Sequence, residues 1–177
     1  WDYAQWVARW TNSLLVPPEP QILQLMGAAS QIPALASKIS NGFNNPPELD
    51  PRDPATLGRA GSFKDHRSFY FRTFEGYREI MLEQGDGSKG LWFTEFGWAT
   101  ANDADAEWAY AHDNTEADQA RYLVEAFKIA RERGYVVAMF VWNLNHWDPS
   151  EAGHGFSILR PDWSPRPAFS ALSRMPK

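Results

Sequence analysis

Residues 89–99 read Lys-Gly-Leu-Trp-Phe-Thr-Glu-Phe-Gly-Trp-Ala, and no other stretch restricts the fold so strongly. Leu91, Trp92 and Phe93 form a short apolar, aromatic run behind the turn sequence Gly85-Asp86-Gly87-Ser88. A run too short for a helix and rich in β-formers is the pattern of a buried strand. Glu95 ends it, between Thr94 and Phe96, with Gly97 and Trp98 behind. A carboxylate among apolar neighbours carries a desolvation cost, so Glu95 either points into solvent at the strand end or has a partner or a task.

A second strand follows the same plan. Residues 135–144, Tyr-Val-Val-Ala-Met-Phe-Val-Trp-Asn-Leu, are continuously hydrophobic. Between the two runs, residues 115–133 read as a helix: Thr115 with Asp118 resembles a capping box, Ala120, Leu123, Phe127 and Ala130 line one face, and Gly134 stops it. Residues 68–84 read as a helix before the first strand, with Tyr70, Phe74, Tyr77 and Met81 at helical spacing and Gly85 at the stop. A last helix is expected over 165–172. Nearly uninterrupted apolar strands alternating with helices predict a parallel sheet covered on both faces. In such α/β folds reactive groups gather at the C-terminal strand ends. Glu95 ends the first strand, and Trp142, Asn143 and Asn145 end the second, so this edge is the candidate site.

The N-terminal part is less regular. Residues 1–10 read as a helix with Trp6, Val7 and Trp10 on one side; Leu14-Leu15-Val16 is a possible short strand before Pro17-Pro18-Glu19-Pro20. A short helix is expected over 21–29, a weak strand over 34–40, and a long loop dense in Pro, Gly, Asn and Asp over 41–61.

Composition removes several classes. Acidic residues outnumber basic ones, 22 to 17, without a Lys/Arg block, which argues against nucleic acid as a partner. No apolar run reaches the roughly 20 residues of a membrane span, and no signal-peptide pattern opens the chain. The first residue is Trp1, which suggests a mature, trimmed or excerpted product. With no cysteine, disulfides, thiolate metal sites and cysteine nucleophiles are excluded. The 9 Trp, 11 Phe and 6 Tyr fit a heavy aromatic core, a cleft that stacks flat apolar faces such as sugar rings, or both.

Other groupings carry less. His146, Asp148, Glu151 and His154 match no helical zinc spacing, and Asp103, Asp105, Glu107 and Asp113 lack the glycine of a calcium loop, so solvated loops are expected and neither metal nor cofactor. His66 and His112 read as surface or hydrogen-bonding residues. No Gly-x-Ser-x-Gly elbow occurs.

The run Trp92-Phe93-Thr94-Glu95-Phe96-Gly97-Trp98, then a helix, then Phe140-Val141-Trp142-Asn143-Leu144, resembles the seventh and eighth strands of clan A retaining glycoside hydrolases, of the bacterial family 5 and family 39 types. The resemblance extends over 41–71, with Gly42-Phe43-Asn44-Asn45-Pro46-Pro47, and over 156–177, roughly the last three-quarters of the chain. It implies a partial, half-type TIM (β/α) barrel with parallel strands, one truncated domain over 1–177 in which 1–41 is atypical and 42–177 is family-like. It also implies a secreted or extracytoplasmic protein that hydrolyses β-linked glycosides. In that reading Glu95 is the nucleophile, Trp142 the platform under the sugar, and Trp98, Asn143 and Asn145 line the cleft.

Two departures bear on function. A full barrel takes about 250 residues, and this chain has 177. The family's acid/base is a Glu between Asn and Pro, and no Asn-Glu-Pro occurs; Glu19, in Pro18-Glu19-Pro20, is either a degenerate counterpart or a coincidence. The alternative is therefore a catalytically silent sugar-binding or assembly module. Because a half-barrel leaves strand edges and apolar faces open, a homo-oligomer that completes the sheet is expected.

Overall fold

The computed structural model describes residues 43–57, 69–100, 111–146, 148 and 152–176. The helices expected at 1–10 and 21–29, the strands expected at 14–16 and 34–40, and Glu19, His66, Asp103, Asp105, Glu107 and Glu151 lie outside the described residues. In chain order the elements are α1 (Pro54–Leu57), α2 (Thr73–Glu83), β1 (Leu91–Phe96), α3 (Glu116–Arg133), β2 (Val136–Val141), a 3₁₀ turn (Ala152–Phe156) and α4 (Pro167–Ser173). The described fold is thus mixed α/β. β1 and β2 are hydrogen-bonded neighbours running parallel, and α3 is the connection between them. Among the described residues no helix is long and apolar enough to cross a membrane.

The two strands are not in simple register. Phe93 pairs with Met139 and Phe96 with Val141, so three steps of β1 match two of β2. This bulge turns both Phe93 and Phe96 to the core while Thr94 and Glu95 stay exposed. A further strand contact comes from the preceding loop: Phe43 bridges Trp98 in parallel and its N–H donates to the Gly97 carbonyl at 3.0 Å. The Phe96 carbonyl accepts from Trp142 N–H at 2.8 Å. Successive carbonyls of a strand point to opposite sides, so Phe43 and β2 flank β1 on opposite edges.

One face of the sheet packs on the helices through an aromatic cluster. Phe71 sits at its centre, with ring centroids 5.1 Å from Phe74, 5.5 Å from Phe93 and 5.6 Å from Phe43. Phe127 of α3 meets Phe96 edge-on at 5.3 Å. Such pairs contribute about 0.5–1.5 kcal/mol each beyond the area they bury. The other sheet face differs from the two-sided cover expected of these strands: Trp92, Val137 and Phe140 are exposed, and nothing among the described residues covers them.

The helix before β1 starts at Thr73, later than expected, for a packing reason. Phe69, Tyr70 and Phe71 are all buried, and Thr73 N–H bonds the Tyr70 carbonyl rather than the Phe69 carbonyl that an α-helical turn would use. They form an irregular turn whose Phe69 carbonyl accepts the N–H groups of both Asn44 and Asn45. By contrast α3 follows its sequence closely. Thr115 Oγ1 accepts from Asp118 N–H at 3.1 Å, the Asp118 carboxylate accepts from Thr115 N–H at 3.0 Å, and Gly134 ends the helix at φ 68°.

Helix α2 is locked to its surroundings by charge. Glu75, buried in the first turn, is bonded by Arg72 at 2.9 Å, by Arg133 from the end of α3 at 2.8 Å, and by Arg52. Arg52 also pairs with Asp50 at 2.8 Å. Burial acts to raise the Glu75 pKa, but the bonds from Arg72 and Arg133 outweigh it and hold it below its ordinary value. The hydrogen bond from Arg52 brings Asp50 from its ordinary 3.8 to about 2. Folded-state values below unfolded ones stabilise the fold above the unfolded pKa, and this is lost as protons are taken up. Stability to urea should therefore fall as pH drops from just above 4.5, the ordinary Glu75 value, toward about 2, where Asp50 titrates. A Glu75→Gln, Asp50→Asn double variant should be less stable at pH 7 and show a flatter dependence across that window.

Candidate functional site

The C-terminal edge of the sheet holds a carboxylate and an indole on successive strands. Glu95 is exposed near the end of β1. With the described residues it makes no hydrogen bond or ion pair. Trp142 follows β2 directly and is 43 % exposed. Val141 packs against the core, so its neighbours Phe140 and Trp142 turn to the opposite, open face. Glu95, beside core-facing Phe96, is exposed within the bulged stretch of β1. The peptide between Trp142 and Asn143 is cis.

The approach of the two strand ends depends on a glycine. A Cβ at residue 97 would lie 2.4 Å from the Trp142 carbonyl oxygen and 3.2 Å from a Phe156 ring carbon. The Thr-Glu-Phe-Gly-Trp run thus carries its glycine where β2's exit passes closest to β1's.

The sequence-predicted neighbours divide in two. Trp98 is wholly buried, in ring contact with Phe43 and Tyr122, and its Nε1–H donates to the Asn45 carbonyl at 2.9 Å. It forms the floor under the edge and offers no open face. Asn143 has both ends of its amide engaged: Nδ2 donates to the Gly153 carbonyl at 3.1 Å and Oδ1 accepts from Ser157 Oγ at 2.8 Å. It shapes the loop after β2. Asn145 is the reverse case, because both of its amide atoms are buried and neither finds a hydrogen-bond partner. A buried amide with unused donor and acceptor is the exception among native polar groups.

Below these residues lies a polar brace that sequence reasoning missed. Gln119 of α3, fully buried, donates through Nε2 to the Trp98 carbonyl at 2.9 Å and the Gly155 carbonyl at 3.3 Å. Thr100 N–H also donates to the Gly155 carbonyl at 2.9 Å. Arg166, buried at the start of α4, reaches Thr100 Oγ1 at 2.9 Å and His154 Nε2 at 3.1 Å, and its Nε lies 3.6 Å from the Glu116 carboxylate. Burial pushes the Arg166 guanidinium below its ordinary range, and Glu116 partly offsets this. His154 Nδ1 faces the His146 carbonyl at 3.0 Å and donates to it, which leaves Nε2 to accept from Arg166. The loops after both strands are therefore tied to one buried cation. Only the proline of Arg166-Pro167 marks the helix start in sequence; no spacing rule reveals the contact with Thr100, 66 positions away.

His154, with both ring nitrogens engaged, has neither free for a metal. No group of three or more His, Asp or Glu side chains among the described residues is placed to hold one. Asp113 accepts from Asn44 Nδ2 at 3.1 Å, and His112 is exposed. Comparison with protein-family models, with curated proteins and with solved structures finds no match to this chain.

Replacing Gly97 by Ala should cost about 1–3 kcal/mol of folding stability in urea, the range of an overpacked interior, because the obstructing atom is backbone oxygen.

Proposed function

We propose that the chain is a carbohydrate-active protein of the retaining β-glycoside hydrolase type, built as a half-type TIM barrel, with Glu95 as nucleophile. The observation that carries this reading is an exposed carboxylate and an exposed indole at the C-terminal ends of successive parallel strands. This is where catalytic groups of (β/α) barrels gather. The likeness of residues 92–98 and 140–144 to the seventh and eighth barrel strands of clan A enzymes points the same way.

The chemistry has two steps. Trp142 supports the apolar face of the sugar, and a Glu95 oxygen forms a bond to the anomeric carbon as the bond to the leaving oxygen breaks. Water then attacks the same carbon and frees Glu95. A second carboxyl about 5–5.5 Å away has to give the leaving oxygen a proton and later take one from water. Glu19 is the candidate in this chain, and a carboxyl of another copy is the substitute. Asn145 carries an unused amide that a sugar hydroxyl, which both donates and accepts, would satisfy once the loop over its buried atoms opens.

The isolation of Glu95 favours one other reading. It has no polar partner among the described residues, so a sugar-binding module that retains the platform without turnover is the alternative. Aryl β-glycosides with good leaving groups separate the two, because they lessen the need for an acid. The enzyme reading expects wild-type turnover and a fall of at least about 10³-fold in Glu95→Ala. Equal inertness of both proteins, with sugar binding weakened in Trp142→Ala and kept in Glu95→Ala, selects the binding module.

The open sheet face, with Trp92, Val137, Phe140 and Leu144 exposed, is what an unfinished barrel presents. A second copy of the chain is its proposed cover. Light scattering at micromolar concentration should give a dimer or larger species, and a strict monomer would remove the assembly from the reading.

A further inference from the structure

A separate feature lies in the turn before α4. Leu159 bridges Pro165 in antiparallel fashion, and residues 160–164 reverse the chain between them. Trp163 occupies the left-handed position of this turn, at φ 66°, and is 67 % exposed. Glycine or asparagine adopts that conformation with little strain, whereas a bulky side chain is poorly suited to it. The ring does not repay the strain by packing, since it belongs to neither apolar cluster.

The turn is held firmly all the same. Arg160 N–H donates to the Ser164 carbonyl at 2.9 Å, Trp163 N–H to the Arg160 carbonyl at 2.8 Å, and Ser164 N–H to Asp162 Oδ1 at 3.0 Å. The Arg160 guanidinium bonds the Pro165 carbonyl at 2.8 Å and the Glu116 carboxylate at 2.8 Å, anchoring the turn to the start of α3. An indole carried on a firmly held, strained turn and open to solvent is displayed rather than packed, and strain of this kind gathers at ligand-contacting positions.

We propose that Trp163 is a stacking platform for the face of a sugar ring, a second carbohydrate contact on a different element from Glu95 and Trp142. The surroundings of the ring select the occupant. A protein hot spot sits in a well-packed pocket from which the surrounding contacts exclude water. Here the sequence neighbours Asp162 and Pro161 are exposed, and the charged heads of Arg160 and Asp162 sit in the same turn. A nucleic-acid base would bring phosphates toward a chain of net charge −5. A pyranose combines an apolar C–H face with a hydroxyl rim, which matches a single flat indole in a polar turn.

The contact does not depend on turnover at Glu95, so it is tested by binding and stability. Wild type, Trp163→Gly, Trp163→Asn, Trp142→Ala and Glu95→Ala would be titrated calorimetrically with β-linked gluco-, xylo- and manno-hexaoses. Both Trp163 variants should weaken at least one hexaose by about three- to tenfold, while Tm holds or rises because the left-handed strain is relieved. Trp142→Ala and Glu95→Ala should keep the Trp163-dependent part of the binding; loss of that part in either variant would merge the two positions and overturn the proposal. Unchanged affinity of Trp163→Gly for every hexaose, no binding by wild type, or a lowered Tm would overturn it. A changed sedimentation coefficient in Trp163→Gly would do so as well, by assigning the ring to contact between copies.

Discussion

Everything at the candidate site depends on how closely the backbone leaving β2 passes the backbone leaving β1. The Trp142 carbonyl oxygen would be 2.4 Å from a Cβ at Gly97, so no side chain can be inserted between the two strand ends without moving one of them. The hydrogen bond from Trp142 N–H to the Phe96 carbonyl fixes the crossing from the other side. Glu95 lies two residues before Gly97 on one strand, and Trp142 itself makes the approach on the other. Their nearness along the sheet edge is a consequence of backbone geometry, before any side-chain chemistry enters.

The elements that could be read from the chain are those whose causes are local. Thr115 and Asp118 satisfy one another's neighbouring N–H groups across three positions, and Gly134 adopts a conformation that suits glycine, so α3 is legible end to end. The parallel relation of β1 and β2 follows from apolar runs that need a helical crossover between them. The errors have long-range causes. The sequence reads as a helix from residue 68, but Phe71 is drawn into a core assembled from Phe43, Phe93 and Trp98, and the Phe69 carbonyl is taken by Asn44 and Asn45. The sequence reads as a strand to Leu144, but the strand stops at Val141, and beyond it the Asn143 N–H bonds the Phe156 carbonyl.

The site itself was half legible for the same reason. Glu95 and Trp142 belong to strand ends, which sequence pattern locates well. Trp98 and Asn143 have the right residue types at the right places, yet their polar atoms are taken by Asn45 on one side and by Gly153 and Ser157 on the other. Nothing in a linear pattern tells a tryptophan that lines a cleft from one that floors it. The bulge between Phe93 and Phe96, which leaves Glu95 exposed, is also invisible until both strands are paired.

The brace around Arg166 has a bearing on the order in which the molecule is made. Glu95 and Trp142 emerge from the ribosome well before Arg166, but the loops that carry the chain onward from them are fastened by its guanidinium, through Thr100 on one side and His154 on the other. A nascent chain that has completed β2 therefore holds both site residues without the fastening between their loops. The fastening through Arg166 forms only once the segment carrying it has been added, so a translation pause before that segment would prolong the life of a loosely closed intermediate.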